Sequence, residues 1–279
     1  MISIPLLKRN VLQMIKPLMI FFEVLAMYTG IIIFISVLGM YTGVIIYMYT
    51  PSLMSILSDY QKAMPGMLQA VGMSGVATNL IEFLEIYLYG FLMLAFPLVF
   101  IVMLGNSLVM NYVESGSMAC LLASPNSRLK IIVTQALSMI AGIVVLMVAI
   151  TAVGIVCAQS MFPGDLDIKT YIVLNASALL VHLAIAGIVF FSACFFNDSK
   201  NFYSIGAGVP LMFFLITMLA NMGGKLDNLK YFSLYTLFPK DQIVSGGTGV
   251  FAYNIALSLI AIVLFSTGIA CFTKKDFSL

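Results

Sequence analysis

The chain has one histidine, His182, and it lies inside a long apolar run. An imidazole can bind a metal, pass a proton or act as a general base, and each role needs partners within reach. A zinc hydrolase built on H-E-x-x-H needs a second histidine one helical turn away, and this sequence cannot supply it. No carboxylate motif stands at matching depth either. His182 is therefore read first as a packing or cavity-lining side chain, with a place in a substrate path or proton relay as the alternative. Glu23 is the most unusual charge, because it falls inside the first long apolar run. A carboxylate within a membrane marks function by default. Yet Glu23 comes seven residues after Lys16, where snorkelling or pairing at the membrane surface costs little, so the structural reading leads there too.

Cys120, Cys157, Cys194 and Cys271 show no C-x-x-C spacing, which points to buried small apolar side chains rather than a metal site or a disulfide framework. No G-x-x-x-x-G-K-[ST] occurs, so the loop that cradles nucleotide phosphates is missing. Val244-Ser245-Gly246-Gly247 superficially echoes an ATPase signature, but without a P-loop it reads as a flexible turn. The chain is expected to hold no cofactor or metal of its own and to be no enzyme.

What must position these residues is a set of membrane helices. Apolar residues make up 62% of the 279 and charged residues 9%, with a mean hydropathy of +1.11. Soluble domains run about 45–50% apolar and about 25% charged, and a helix needs roughly 20 mostly apolar residues to cross the hydrocarbon core. The length leaves room for about six spans with short loops and no large soluble domain. The class is all-α integral membrane protein, one transmembrane domain over 1–279, with spans expected at about 18–50, 86–111, 131–157, 171–196, 202–222 and 250–272. Lys8, Arg9 and Lys16 precede an apolar run of about 33 residues, far longer than the h-region of a cleaved signal peptide. Residues 3–17, ending at Pro17, read as an interfacial helix whose lysines meet anionic headgroups. Residues 51–85, with Asp59, Lys62, Glu82 and Glu85, read as an amphipathic excursion on the surface. Pro97 is expected to kink the second span. Gly39-x-x-x-Gly43 matches the small-residue spacing that lets membrane helices approach, within the chain or towards a partner.

Six spans put both termini on one side, and basic residues choose the side. With the N-terminus inside, the inner segments hold Lys8, Arg9, Lys16, Arg128, Lys130, Lys200, Lys274 and Lys275, against Lys62, Lys169, Lys225, Lys230 and Lys240 outside. The acidic residues Asp59, Glu82, Glu85, Asp165, Asp167, Asp227 and Asp241 all fall outside. Both termini are expected in the cytoplasm.

The segment from Tyr112 to Lys130, YVESGSMACLLASPNSRLK, is the most informative loop. Ser115 to Ser117 break the span, Met118 to Leu122 make a helical turn or two, and Pro125 ends it. Arg128 and Lys130 then hold the next helix at the inner surface. A short amphipathic helix exposed there suits docking on a soluble partner, and a solvated loop with basic anchors is the plain alternative.

Glu114-x-Gly116-Ser117-Met118-x-x-Leu121-Leu122-x-Ser124-Pro125-x-Ser127-Arg128 resembles the E-x-G-T-L-x-x-L-L-x-x-P-x-S-R loop of ABC-2 type transporter permeases. The closing Phe272-Thr273-Lys274-Lys275-Asp276 is similar to that family's basic-Asp ending, and the order of parts agrees in outline. Ser117, Met118 and Gln135 depart from the usual Thr, Leu and Lys. The resemblance implies a coupling helix between spans 2 and 3, seated on a separate ABC ATPase subunit, with Glu114, Gly116, Ser117, Leu121, Leu122, Pro125 and Arg128 carrying the contact. It further implies a bacterial cell membrane, a second permease chain, and ATP with Mg on the partner. No nucleic acid is expected. A secondary transporter is the rival reading, but it predicts inverted halves and midplane carboxylates, and neither is visible. An intramembrane enzyme lacks paired reactive residues. The topology predicts that single cysteines placed at residue 279 and at the Ser199 turn label from the same side of sealed vesicles. Labelling from opposite sides defeats the six-span reading.

Overall fold

Hydrocarbon offers no partner to backbone N–H and C=O groups, so a spanning segment must satisfy them internally, and apolar runs of this length become helices. The structure is a computed structural model and describes residues 29–75, 77–122 and 127–275. No strand occurs among them. Along the chain, α1 is Thr29–Tyr47 and is followed by α2 (Pro51–Ala63), α3 (Pro65–Ala70) and α4 (Leu80–Tyr87). Next come α5 (Leu92–Glu114), the short α6 (Ser117–Leu122), α7 (Arg128–Met161), α8 (Ile168–Phe195) and α9 (Ser199–Asn221). Two 3₁₀ segments, Gly224–Phe232 and Leu234–Leu237, then lead through α10 (Lys240–Val244) to α11 (Val250–Lys274). Six of these helices, α1, α5, α7, α8, α9 and α11, are long and apolar enough to cross a membrane. The protein is an all-α, multi-pass membrane protein. The expected interfacial helix over 3–17 and the start of the first span lie outside the described residues.

The bundle is wrapped around α8, which packs along most of its length on α11 and also touches α5 and α7. Small residues make this possible, because membrane helices gain by close van der Waals approach rather than by apolar burial. A Cβ on Gly187 of α8 would lie 2.8 Å from the Cβ of Leu264 in α11, and one on Gly154 of α7 would collide with the Tyr171 hydroxyl of α8. The Gly39-x-x-x-Gly43 pair is used inside the chain: Gly39 faces Val153 and Gly43 faces Cys157, both on α7. Since both contacts step forward along both helices, α1 and α7 run parallel. Cys157, Cys194 and Cys271 are free thiols.

The two ends of the bundle differ. One carries α6, the 196–199 turn and Lys275, with Arg128, Lys130, Lys200 and Lys274 nearby; we call it the basic end. The other is capped by 48–91 and 222–249. On the capped end α2 and α3 bury no residue, as an amphipathic surface excursion should. The rest of that expectation is corrected, because in α4 every residue except Glu82 is buried. Aromatic rings pull it in: Phe83 lies 5.5 Å from Tyr49, which in turn lies 5.3 Å from Phe162. The second span also starts later than position 86. A Cβ on Gly90 would sit 2.7 Å from the Gly72 carbonyl oxygen, so two glycine backbones touch there and the chain turns before entering α5. Helix α7 has 34 residues, about 51 Å at 1.5 Å per residue, and projects beyond a core of about 30 Å.

Polar contacts fasten the cap. Asn79 accepts from the Glu82 amide at 2.9 Å, and Glu82 accepts from the Thr78 amide at 2.7 Å, a reciprocal cap on the first turn of α4. Gln61 donates to the Gly75 carbonyl at 2.9 Å and to the Tyr87 hydroxyl at 2.8 Å. Glu85 of α4 takes an ion pair from Lys240 of α10, beside a cavity of about 330 Å³ also lined by Glu82, Asp241, Gln69 and Asn221. Burial pushes the Glu85 carboxyl up to about 7, with Lys240 opposing and the Asp241 carboxyl adding to the rise.

Folded Glu85 thus holds its proton up to about 7, whereas a free glutamate releases it near 4.5. Between those values the closed cap binds more protons than the opened one, so opening becomes easier as pH rises and levels off above the window. Amide exchange in α4 and α10, corrected for intrinsic rate, should quicken through that window. Glu85→Gln should flatten the profile and leave α8 unchanged. A flat wild-type profile would mean that Glu85 stays ionised throughout.

Candidate functional site

At the basic end, the loop after α5 is organised by one backbone requirement. Gly116 has φ +71°, a left-handed conformation that costs an L-residue about 1–2 kcal/mol. A Cβ there would meet nothing within 4 Å, so conformation and not space selects glycine. Ser115 prepares the turn by donating to the Asn111 carbonyl at 2.6 Å, and its hydroxyl also meets that of Ser117 at 2.6 Å. The chain then turns into α6 with Ser117 at its head.

Helix α6 is seated on its own bundle. Met118 is buried in the core, and Leu121 is half-buried against the same cluster. Met118 and Leu121 face inwards, because α6 is only six residues long and the returning α7 holds it close to the end of α5. Ser115 and Gly116 stay exposed, as do Arg128, Leu129 and Lys130 at the start of α7. Leu122 belongs to α6, but its side chain lies outside the described residues, as do Pro125 and Glu23.

Glu114 and Arg128 rope this unit to distant parts of the chain. The Glu114 carboxylate accepts from the Ser199 backbone N–H at 3.3 Å and from the Ser199 hydroxyl. Ser199 opens α9, behind the N-cap Asp198, so a negative group sits at a helix N-terminus, where partial positive charge collects. Arg128 donates to the Lys275 carbonyl at 3.0 Å. Lys275 in turn donates from Nζ to the carbonyls of Cys194 and Phe196, at 3.1 and 2.7 Å, which are open acceptors at the C-terminus of α8. Two sets of contacts, one joining α5 to α9 and the other joining α7, α11 and α8, therefore meet at the 196–199 turn.

Sequence reasoning selected Glu114, Gly116, Ser117 and Arg128, and the structure brings them to this end together. It missed Ser199 and the acceptors at the end of α8. The only signals were the Asn197-Asp198-Ser199 turn and the paired lysines of the tail.

His182 stands apart, fully buried near the middle of α8. Pro97 of α5 has no N–H for the carbonyl four residues back, that of Met93, and the imidazole is directed at the Met93 backbone without reaching hydrogen-bond geometry. Tyr171 and Asn175 share its face of α8, and the Tyr171 hydroxyl and Asn175 Oδ1 are likewise buried and unpartnered. A buried donor directed at a carbonyl that proline leaves open fits the packing role for His182. Among the described residues no three His, Cys, Asp or Glu side chains gather to hold a metal. No family model, curated protein or solved structure matches the chain.

The glycine argument yields a graded test. Gly116→Asn should be nearly silent, because Asn tolerates the left-handed region, whereas Gly116→Ala should cost about 1 kcal/mol and Gly116→Val more. Amide exchange across residues 117–122 should rise in that order. Equal exchange in all three variants would show that the turn is not held at positive φ.

Proposed function

We propose that this chain is the membrane subunit of an ABC-2 type exporter, moving an amphiphilic substrate out of the cell with energy from a separate ATPase subunit. One observation carries the reading: the helix after Gly116 is seated on the bundle, and Glu114 and Arg128 connect it to the turn before α9 and the end of α11. A push on a loop held in this way reaches several spans at once, which is what coupling to a soluble motor requires. The basic end is then cytoplasmic, and the exposed Ser115, Gly116, Arg128, Leu129 and Lys130 form the face offered to the ATPase. ATP and Mg belong to that partner, and a second permease chain completes the pore. The membrane is the bacterial cell membrane. Peptides, antibiotics and lipids are the substrate classes that fit.

A secondary transporter is the second reading, favoured by the His182 ring nitrogens, Asn175 Oδ1 and the Tyr171 hydroxyl, buried on one face of α8 with no hydrogen bond made. The two are separated by the energy source. Co-expression with a candidate ABC ATPase subunit should give a complex whose ATP turnover rises with substrate. Leu121→Asp places an unpaired charge against the bundle, at several kcal/mol, and should unseat α6 and uncouple turnover from transport while the spans still insert. Leu129→Asp alters only the exposed face and should weaken copurification instead. Transport by the chain alone, driven by an ion gradient, would overturn the exporter reading.

A further inference from the structure

The segment that follows α9 does not behave like a water-soluble loop. In the 3₁₀ turn at Gly224–Phe232, Tyr231 is 78% and Phe232 70% exposed. Aromatic rings left open in this way are at home where headgroups meet hydrocarbon. Behind them lies a groove of about 610 Å³, lined by Phe213, Lys230, Phe232, Ser233, Leu237 and Tyr253 among others. Phe213 belongs to α9, eight residues before its end at Asn221, and so lies about 12 Å further along the helix axis, inside the hydrocarbon. Tyr253 is in the first turn of α11. The groove therefore descends from the polar rim into the apolar layer between two spanning helices.

Its chemistry is graded in the same direction. The Ser233 hydroxyl of the wall is already used, donating to the Phe213 carbonyl at 2.8 Å and meeting the Thr217 hydroxyl at 2.7 Å. What remains along the depth is aromatic and aliphatic. At the mouth stands Lys230, its ammonium 2.9 Å from Asp227 and 5.5 Å from the Tyr231 ring centroid. An ammonium has three donors, and Asp227 takes one of them. Lys225 adds a further positive charge on the same turn, so the turn is net positive.

We propose that this groove binds a phospholipid with an anionic headgroup from the leaflet at the capped end. Lys230 takes the phosphate, and an acyl chain lies along Phe213 and Leu237. A soluble anion would find the cation but leave the apolar depth empty, whereas a neutral hydrocarbon would fill the depth and leave the cation unused. Only an amphiphile uses both. The site does not depend on the ATPase reading, since nothing in it involves the basic end.

The test uses the full chain in phosphatidylcholine nanodiscs carrying a minor fraction of phosphatidylglycerol with a diazirine on the acyl chain. After illumination, labelled peptides are mapped by mass spectrometry. Label should concentrate on the peptides containing Phe213, Leu237 and Tyr253, above the exposed Val145, Val148 and Val156 of α7. Lys230→Glu should lower it about fivefold, the upper end for an exposed charge pair, while Lys230→Arg and the distant Lys62→Glu preserve it. Phe213→Trp, which fills the depth and keeps the cation, should also reduce labelling. Even labelling of all lipid-facing helices, or labelling indifferent to both Lys230→Glu and Phe213→Trp, would show bulk lipid only and overturn the site.

Discussion

A medium without hydrogen-bond partners governs this molecule. Every span must close its own backbone bonds, so polar contacts between helices are pushed to the ends, and the middle is held by shape. The structure follows that division closely. Along the spans, Gly187 admits Leu264 and Gly154 admits Tyr171, contacts in which a missing side chain lets two helices touch. At the ends, carboxylates, lysines and capped turns do the joining. The informative exception is Pro97, which leaves open the Met93 carbonyl in the first turn of α5 and has the buried His182 directed at that backbone. A proline and a histidine on different helices thus meet over one backbone group.

The two ends answer the same constraint with different hardware. The capped end uses the ion pair of Glu85 and Lys240 between α4 and α10, a reciprocal cap on α4 and rings packed edge to face. Such contacts favour one closed arrangement, because removing one partner strands the other without water. The basic end relies more on exposed groups, Glu114 on Ser199 and Arg128 on the Lys275 carbonyl, beside the half-buried Lys275 ammonium on the end of α8. Exposed polar contacts exchange readily with water and contribute little each. They can be broken and remade at small cost, so the end with the loop and paired tail is also the end better suited to movement.

Much of this was legible in the sequence, and the limits have physical causes. Span number and class follow from run length alone, because few soluble folds would tolerate so much uncharged sequence. The glycine at 116 was readable as a break, and its positive φ bears that out. The start of α5 was not readable, because hydropathy cannot see that Gly90 touches Gly72. Nor could the burial of α4 be read, since an apolar side chain facing lipid and one facing protein look alike in sequence. The same blindness left the Gly39–Gly43 pair undecided between an internal and an external contact until Val153 and Cys157 appeared against it. Contacts such as Glu114 with Ser199, 85 residues apart, are set by how spans return, and no local pattern encodes that.

On the coupling role proposed above, the basic end would need a stiff arm and a joint that gives, and it offers a candidate for each. Helix α6 is the arm, fixed by Met118 and Leu121 to the bundle. The joints are two π-helical turns, Asn106–Met110 within α5 and Tyr203–Ala207 within α9. Such turns bond from i to i+5, occur mostly as single turns inside α-helices, and are frequent at functional sites. Both meet α8 on the same stretch: Gly105 closes on Val189, and a Cβ on Gly206 would lie 3.2 Å from Ser192. Glu114 links the far side of the first turn to the near side of the second through Ser199. Displacement of α6 would therefore load two adjacent compliant turns in parallel, with α8 as the fixed rail between them. The spans beyond the turns would tilt together, without any of the mid-membrane glycine contacts having to open.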